Sequence, residues 1–206
     1  MISEEQFVSL LERMEDETLD FKARGYDLTN EKEKFSFVKD VLCMANTPRE
    51  STSFIVLGVK KYPDGAYDLR GLETHPDEAD LQSQFTDRVY PIPNFTYDPV
   101  TYDSKRFGVI AIQPTRIGPS LPINDFKGTL QKEQKKEQIY LRKWQFYFRR
   151  GSKNDIAVLP EDIGRILSWF GKQVPPSLAY KDEGPSWESL LRELQNFDPA
   201  RYLSSS

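Results

Sequence analysis

Ser53-Phe-Ile-Val-Leu-Gly-Val-Lys60 is a short, nearly continuous apolar run. At eight residues it is too short for a typical helix, and it does not alternate as a half-exposed strand does, so it predicts a strand buried on both faces. A strand of that kind needs cover on both sides. Helices on either side of it in the chain are the natural suppliers, and the sequence has them.

Upstream, Phe7, Leu10, Leu11 and Met14 fall at helical spacing, which predicts a helix over 3–15; Ser3 and Gln6 have capping-box spacing. Thr18–Lys22 alternates as a short strand. Asn30 is placed to cap a second helix whose face is Phe35, Val38, Val41, Leu42 and Ala45, and which stops before Pro48. Downstream, Tyr62-Pro-Asp-Gly65 is a turn signal, and Tyr67–Leu72 is expected to return as a partner strand. A helix is expected over 78–90, strands over 95–102 and 106–113, loop over 114–128, and one or two strands within 139–150. Pro160–Phe170 reads as a helix with Ile163, Ile166, Leu167 and Phe170 on one face.

Strands and helices mix without regular alternation, so the class is α+β: a single mixed or antiparallel sheet covered by helices. The strands beginning at Thr18, Ser53, Arg106 and Ile139 are expected in that sheet, with the helices at 30–47 and 160–170 upon it. Residues 1–172 read as one domain and 173–185, rich in proline, as a linker. Residues 186–206 read as a helix, with Trp187, Leu190, Leu191 and Leu194 on one face, and the start of a further C-terminal region.

The 206 residues carry a net charge of -4, 29% charged side chains and one cysteine, Cys43, so no intramolecular disulfide forms. The N-terminus has no signal-peptide pattern, and no stretch approaches the roughly 20 apolar residues of a membrane span. A cytoplasmic, soluble protein with no membrane partner is expected. Because the chain is acidic overall, any nucleic-acid contact must come from a local patch.

Two constellations stand out. In Glu15-Asp16-Glu17-Thr18-Leu19-Asp20-Phe21-Lys22, grouped carboxylates are of the kind that hold Mg²⁺ or Mn²⁺ and cut phosphodiesters. Asp20 and Lys22 would share a strand face. A solvated acidic helix end is the plainer alternative. The other is a basic reversal: Lys127, Lys132, Lys135, Lys136, Arg142, Lys143, Arg149, Arg150 and Lys153 against Glu133 and Glu137, interleaved with Tyr140, Trp144, Phe146, Tyr147 and Phe148. Cations attract phosphates and aromatics stack on unpaired bases, although alternating aromatics also build cores. The turn Arg149-Arg150-Gly151-Ser152-Lys153-Asn154 adds a glycine bend with donors for a phosphate. The lone His75 reads as a surface-loop residue, and no zinc-site or nucleotide-loop spacing occurs.

In order along the chain, Glu15…Leu19-Asp20-Phe21-Lys22, Ala45-Asn46-Thr47, Ile55-Val-Leu-Gly58-Val59 and Phe146-Tyr-Phe-Arg149-Arg150-Gly151-Ser152 resemble the motifs of the Schlafen AlbA-like domain family over roughly residues 12–170. The resemblance implies a nucleic-acid-binding module, DNA or RNA, with Lys22, Arg142, Lys143, Arg149, Arg150, Ser152 and Lys153 as contacts. It also implies an N-terminal position in a larger bacterial regulatory or defence protein. For some members it implies Mg- or Mn-dependent cleavage of structured RNA by three carboxylates. Glu15 and Asp20 would be the first two, as catalytic and metal-holding residues. The third position holds Lys60 and Lys61 instead, with Asp64 the nearest acid. Pro48-Arg49-Glu50 also departs from the glycines expected after Asn46-Thr47. A sensor domain coupled to a C-terminal effector is the remaining alternative.

Overall fold

The computed structural model describes residues 2–114, 118–129 and 137–171. The linker and final helix expected beyond residue 172 lie outside the described residues, as do Lys132, Lys135 and Lys136.

The elements run α1 (Glu4–Leu11), β1 (Leu19–Lys22), α2 (Glu31–Asn46), β2 (Ser53–Leu57), β3 (Val59–Lys61), β4 (Tyr67–Leu69), α3 (Glu78–Ser83), β5 (Val89–Tyr90), β6 (Phe95–Tyr102), β7 (Lys105–Ile112), β8 (Leu121–Pro122), β9 (Phe126–Thr129), β10 (Glu137–Leu141), β11 (Tyr147–Arg150), β12 (Lys153–Ile156) and α4 (Pro160–Gly171). The fold is α+β around one mixed sheet in the order β1-β2-β7-β6. β1 is parallel to β2, and α2 is the crossover such a pair requires. β2–β7 and β7–β6 are antiparallel.

The two faces of the sheet divide the apolar residues by their period of two. Ile55, Leu57, Ile110 and Ile112 face α2, joining Val38, Val41, Leu42 and Ala45. Leu19, Phe21, Val56, Phe107 and Val109 face the other way and are covered by Phe7, Leu10 and Leu11 of α1. β2 is therefore buried on both sides, as its composition predicts. The same alternation sends Asp20 and Lys22 towards α2. Both helix starts are capped as the sequence predicts: Ser3 and Gln6 form a capping box, and the Asn30 side chain accepts from Lys32 N and Glu33 N. Each cap contributes about 1 kcal/mol.

The apolar run does not continue as one strand. Gly58 has φ +91 and ends β2, and β3 leaves the sheet to pair with β4. A β-carbon on Gly58 would sit 3.0 Å from the backbone of Gly71, whose N–H, with that of Arg70, donates to Gly58 O. Only glycine fits this crossing of two chains.

The strand at Ile139 is likewise not part of the sheet: β10 pairs with β9 in a separate ribbon, and β6 takes the sheet edge. β11 and β12 form a hairpin of their own. α4 packs Ile166 and Phe170 on Phe146, Phe148, Leu121 and Ala157 rather than on the sheet. α3 is shorter than the expected helix and gives way to β5; β8 and β9 lie in the stretch expected to be loop.

Candidate nucleic-acid interface

Two of the sequence motifs, Ala45-Asn46-Thr47 and Phe146–Ser152, meet where the end of α2 packs on β11. Asn46 is fully buried; its amide donates to Ser120 O (2.9 Å) and Tyr147 O (3.0 Å), and its oxygen accepts from Ser120 N (2.7 Å). The Thr47 hydroxyl donates to Cys43 O (2.7 Å) and accepts from Arg149 N (2.8 Å). Both residues thus satisfy backbone groups that this junction would otherwise bury unpaired. Arg49 completes the helix end. It is 8% exposed and donates to Met44 O, Ala45 O (3.3 Å), Thr47 O (3.3 Å) and, across to β7, Ile112 O (3.0 Å). A cation suits the carbonyl end of a helix dipole. Burial lowers its guanidinium to about 10. The arginine that breaks the expected glycine pattern is therefore a helix cap.

Beneath this junction lies a buried charge cluster. Asp20 is 6% exposed, Asp40 7% and Arg149 1%. Lys22 Nζ lies 2.7 Å from Asp20 Oδ2 and 3.1 Å from Asp40 Oδ2. Arg149 Nη1 lies 3.3 Å from Asp20 Oδ1. Two acids are thus balanced by two cations. Further hydrogen bonds surround them: Arg149 donates to Asp16 O (3.0 Å), Asn154 Oδ1 (3.2 Å) and Ser152 O (2.8 Å). Asp40 accepts from Tyr26 OH (2.6 Å) and from the Asn154 amide. Burial pulls the Lys22 ammonium down, but the Asp40 and Asp20 charges outweigh it and push Lys22 up to about 12. Burial raises the Asp40 carboxyl, against the pull of Lys22, and raises the Tyr26 phenol well above its usual value.

The acidic run is held by local structure. Glu15 Oε1 accepts from Phe21 N (2.8 Å), and Asp16 Oδ1 accepts from Thr18 N (2.6 Å) and the Thr18 hydroxyl (2.7 Å). Asp64 is exposed in the β3–β4 turn, where it accepts from Ala66 N (3.0 Å). Lys60 lies over the Tyr62 ring (4.6 Å), and Lys61 donates to Leu11 O (2.6 Å) over Phe21; Asp20 of β1 is held by Lys22 instead. These residues do not fit a divalent ion. Both Asp20 oxygens already face cations, and among the described residues no three His, Cys, Asp or Glu side chains group to hold a metal.

The predicted phosphate contacts separate into two sets. Lys22 and Arg149 belong to the cluster. Arg150 pairs with Asp155 (3.0 Å) and with Asp162 of α4 (2.7 Å). Gly151, at φ +61, bends the chain next to them, and its N–H points to Glu17 (3.5 Å). Ser152 and Lys153 are exposed on that turn. Arg142 and Lys143 are exposed on the turn before β11. Among the described residues, Arg142, Lys143 and Lys153 form no ion pair. Lys39 of α2 lies over the Tyr147 ring (5.8 Å to its centroid), whose hydroxyl accepts from Arg142 N (2.8 Å). No sequence signal points to Lys39, because its proximity comes from α2 packing on β11. His75 is half-buried against Tyr97 OH (2.7 Å). Among the described residues no helix is long and apolar enough to cross a membrane.

The family model for Schlafen, AlbA_2 matches residues 15–157. The DIP2311 protein of Corynebacterium diphtheriae, known from a crystal structure, has a similar fold: TM-score 0.51 at 16% identity, covering 95% of this chain and 34% of that one. This chain therefore spans about a third of that protein's length. The N-terminal domain of a putative ATP-dependent DNA helicase RecG-related protein from Nitrosomonas europaea, solved by NMR, matches at 19% identity with TM-score 0.43, over 73% of this chain and 92% of its own. No curated protein matches by sequence. With the family model spanning most of the described fold, the chain belongs to the Schlafen AlbA_2 family.

Proposed function

We propose that this chain is a nucleic-acid-binding module that holds DNA or RNA by its phosphates. The observation that carries this reading is the set of exposed cations without acidic partners among the described residues. Arg142 and Lys143 precede β11, and Lys153 follows it. The Asp125 carboxylate accepts from Lys143 N (2.8 Å) and reduces this excess without pairing with the ammonium, while acids farther off are screened beyond about 8–10 Å, so in a chain of net charge -4 these cations are where a polyanion is attracted. Lys22, Arg149, Arg150 and Ser152 act in this reading by shaping the surface rather than by touching phosphate. Family membership supports it in general terms.

The test is a titration of the wild type and of the triple variant Arg142→Ala, Lys143→Ala, Lys153→Ala against labelled DNA and RNA at several salt concentrations. Each phosphate that the variant no longer neutralises should flatten the slope of log K against log salt by about 0.7–0.9. The triple variant should therefore bind more weakly to every sequence and with a shallower slope. Equal affinity and equal slope would remove these residues from any interface.

A further inference from the structure

Trp144 takes no part in holding phosphates, yet it stands among the residues that would. It sits at the tip of the turn between β10 and β11 with φ +60, and it is 56% exposed. That backbone region is routine for glycine and uncommon for a bulky side chain. The usual compensation would be burial of the indole, and this indole is mostly in water. What holds the conformation is the frame around it. Trp144 N donates to Pro122 O (2.8 Å), Lys143 N to Asp125 Oδ1 (2.8 Å), and Gln145 N to Arg142 O (3.3 Å). The Tyr147 hydroxyl accepts from Arg142 N (2.8 Å) and donates to Gln145 Oε1 (2.8 Å). The turn is thus tied to β8, to the loop after it and to β11. An unfavourable backbone state fixed from several sides, presenting an apolar ring outward, is the pattern of a functional constraint.

The charges around the ring indicate what it meets. Lys143 Nζ lies 5.3 Å from the indole centroid, Arg142 is exposed beside it, and Lys39 stands over Tyr147 just behind the turn. An exposed aromatic ring with a lysine ammonium over it and further cations nearby suits a ligand that carries a π-face and flanking negative charge together, the lysine moving from the ring to a phosphate as the base stacks. We propose that Trp144 is a stacking platform for an unpaired base, with Arg142 and Lys143 on the neighbouring phosphates. The preferred ligand of this face is then single-stranded nucleic acid. In a duplex the base faces are stacked on one another and present nothing to the indole. This inference rests on the nucleic-acid reading and narrows it.

The full chain can be titrated with a 20-nucleotide oligothymidylate, the corresponding oligouridylate, and a 20-base-pair duplex. The key variant is Trp144→Gly, because glycine accepts φ +60 and removes the ring without straining the turn. Trp144→Gly should weaken binding to the single strands roughly tenfold or more, leave the duplex within about twofold, and keep or raise the thermal midpoint. Trp144→Phe should retain most of the single-strand affinity. Unchanged single-strand affinity in Trp144→Gly would overturn the stacking role while leaving phosphate binding intact. Equal weakening towards strand and duplex would also overturn it, since the ring would then serve no unpaired base. A wild type that binds none of the probes would remove the nucleic-acid reading itself, and the platform with it. Binding of Trp144 to another protein, seen as a shift in oligomeric state that Trp144→Gly abolishes without any effect on oligonucleotides, would overturn it in favour of a protein contact.

Discussion

Arg142-Lys143 and Arg149-Arg150 stand at the two ends of one short strand, and in the sequence they are the same feature: adjacent cations among aromatics. In the folded chain they differ by their neighbours. Around Arg149 and Arg150 the fold gathers Asp20, Asn154, Asp155 and Asp162, and the guanidiniums are bound within the molecule. Around Arg142 and Lys143 it gathers backbone groups, a tyrosine hydroxyl and the Asp125 oxygen that takes the Lys143 N–H, with the Lys143 ammonium over the Trp144 ring and neither cation in an ion pair among the described residues. A basic run has no function until its acids are placed. Here one pair is tied into the scaffold, and the other forms no ion pair among the described residues.

The largest effect expected from breaking that contrast is on stability. Arg149→Ala would leave Asp20 in a buried site with Lys22 alone and would strip the donor from Asp16 O, Asn154 Oδ1 and Ser152 O. Removal of one partner from a buried charge set typically destabilises by about 3–5 kcal/mol. Urea denaturation should show a drop of that order, with binding falling only as the folded fraction falls. A variant of unchanged stability that no longer bound nucleic acid would return Arg149 to the interface.

A smaller effect concerns alkaline pH. Lys22 is raised from 10.5 to about 12 in the folded chain, so its ion pairs contribute fully below pH 10.5 and fade as pH rises towards 12. The raised Tyr26 phenol acts in the opposite sense of an acid stabilised in its charged form: its neutral state is favoured by folding, and that contribution also fades as it is forced to ionise at high pH. The melting temperature of the wild type should exceed that of Lys22→Met at neutral pH, and the gap should narrow between about pH 10.5 and 12. A gap that stays constant through that window would mean that Lys22 acts by packing and not by charge.

Much of this scaffold is legible in the sequence, and the reasons are local. Caps at Ser3 and Asn30, the doubly buried strand at Ser53 and the shared face of Asp20 and Lys22 depend on neighbours within a few residues. The break at Gly58 is signalled only by a glycine inside an apolar run, and its cause, the crossing of Gly71, comes from a distant turn. The Ile139 strand is recognisable as a strand, but its partner is not written in its own pattern, and it pairs with β9. Arg149 reads as a phosphate contact because its acid comes from β1, and Arg49 reads only as a departure from the expected glycines because the carbonyls it caps converge only when α2 ends. Polar partners as far apart in the chain as Asn154 and Asp40 are set by topology and not by spacing.

The contrast between the two arginine turns reduces to one comparison of single substitutions. Arg142→Ala and Arg150→Ala each remove one exposed guanidinium, the first without an ion pair among the described residues and the second paired with Asp155 and Asp162, and each can be titrated with the same oligonucleotide across a range of salt. The expectation is that Arg142→Ala lowers affinity and flattens the salt slope by up to about 0.7–0.9, while Arg150→Ala leaves the slope of the folded protein at the wild-type value. A flattened slope in Arg150→Ala with an unchanged one in Arg142→Ala would contradict the assignment and put Arg150, not Arg142, in contact with phosphate.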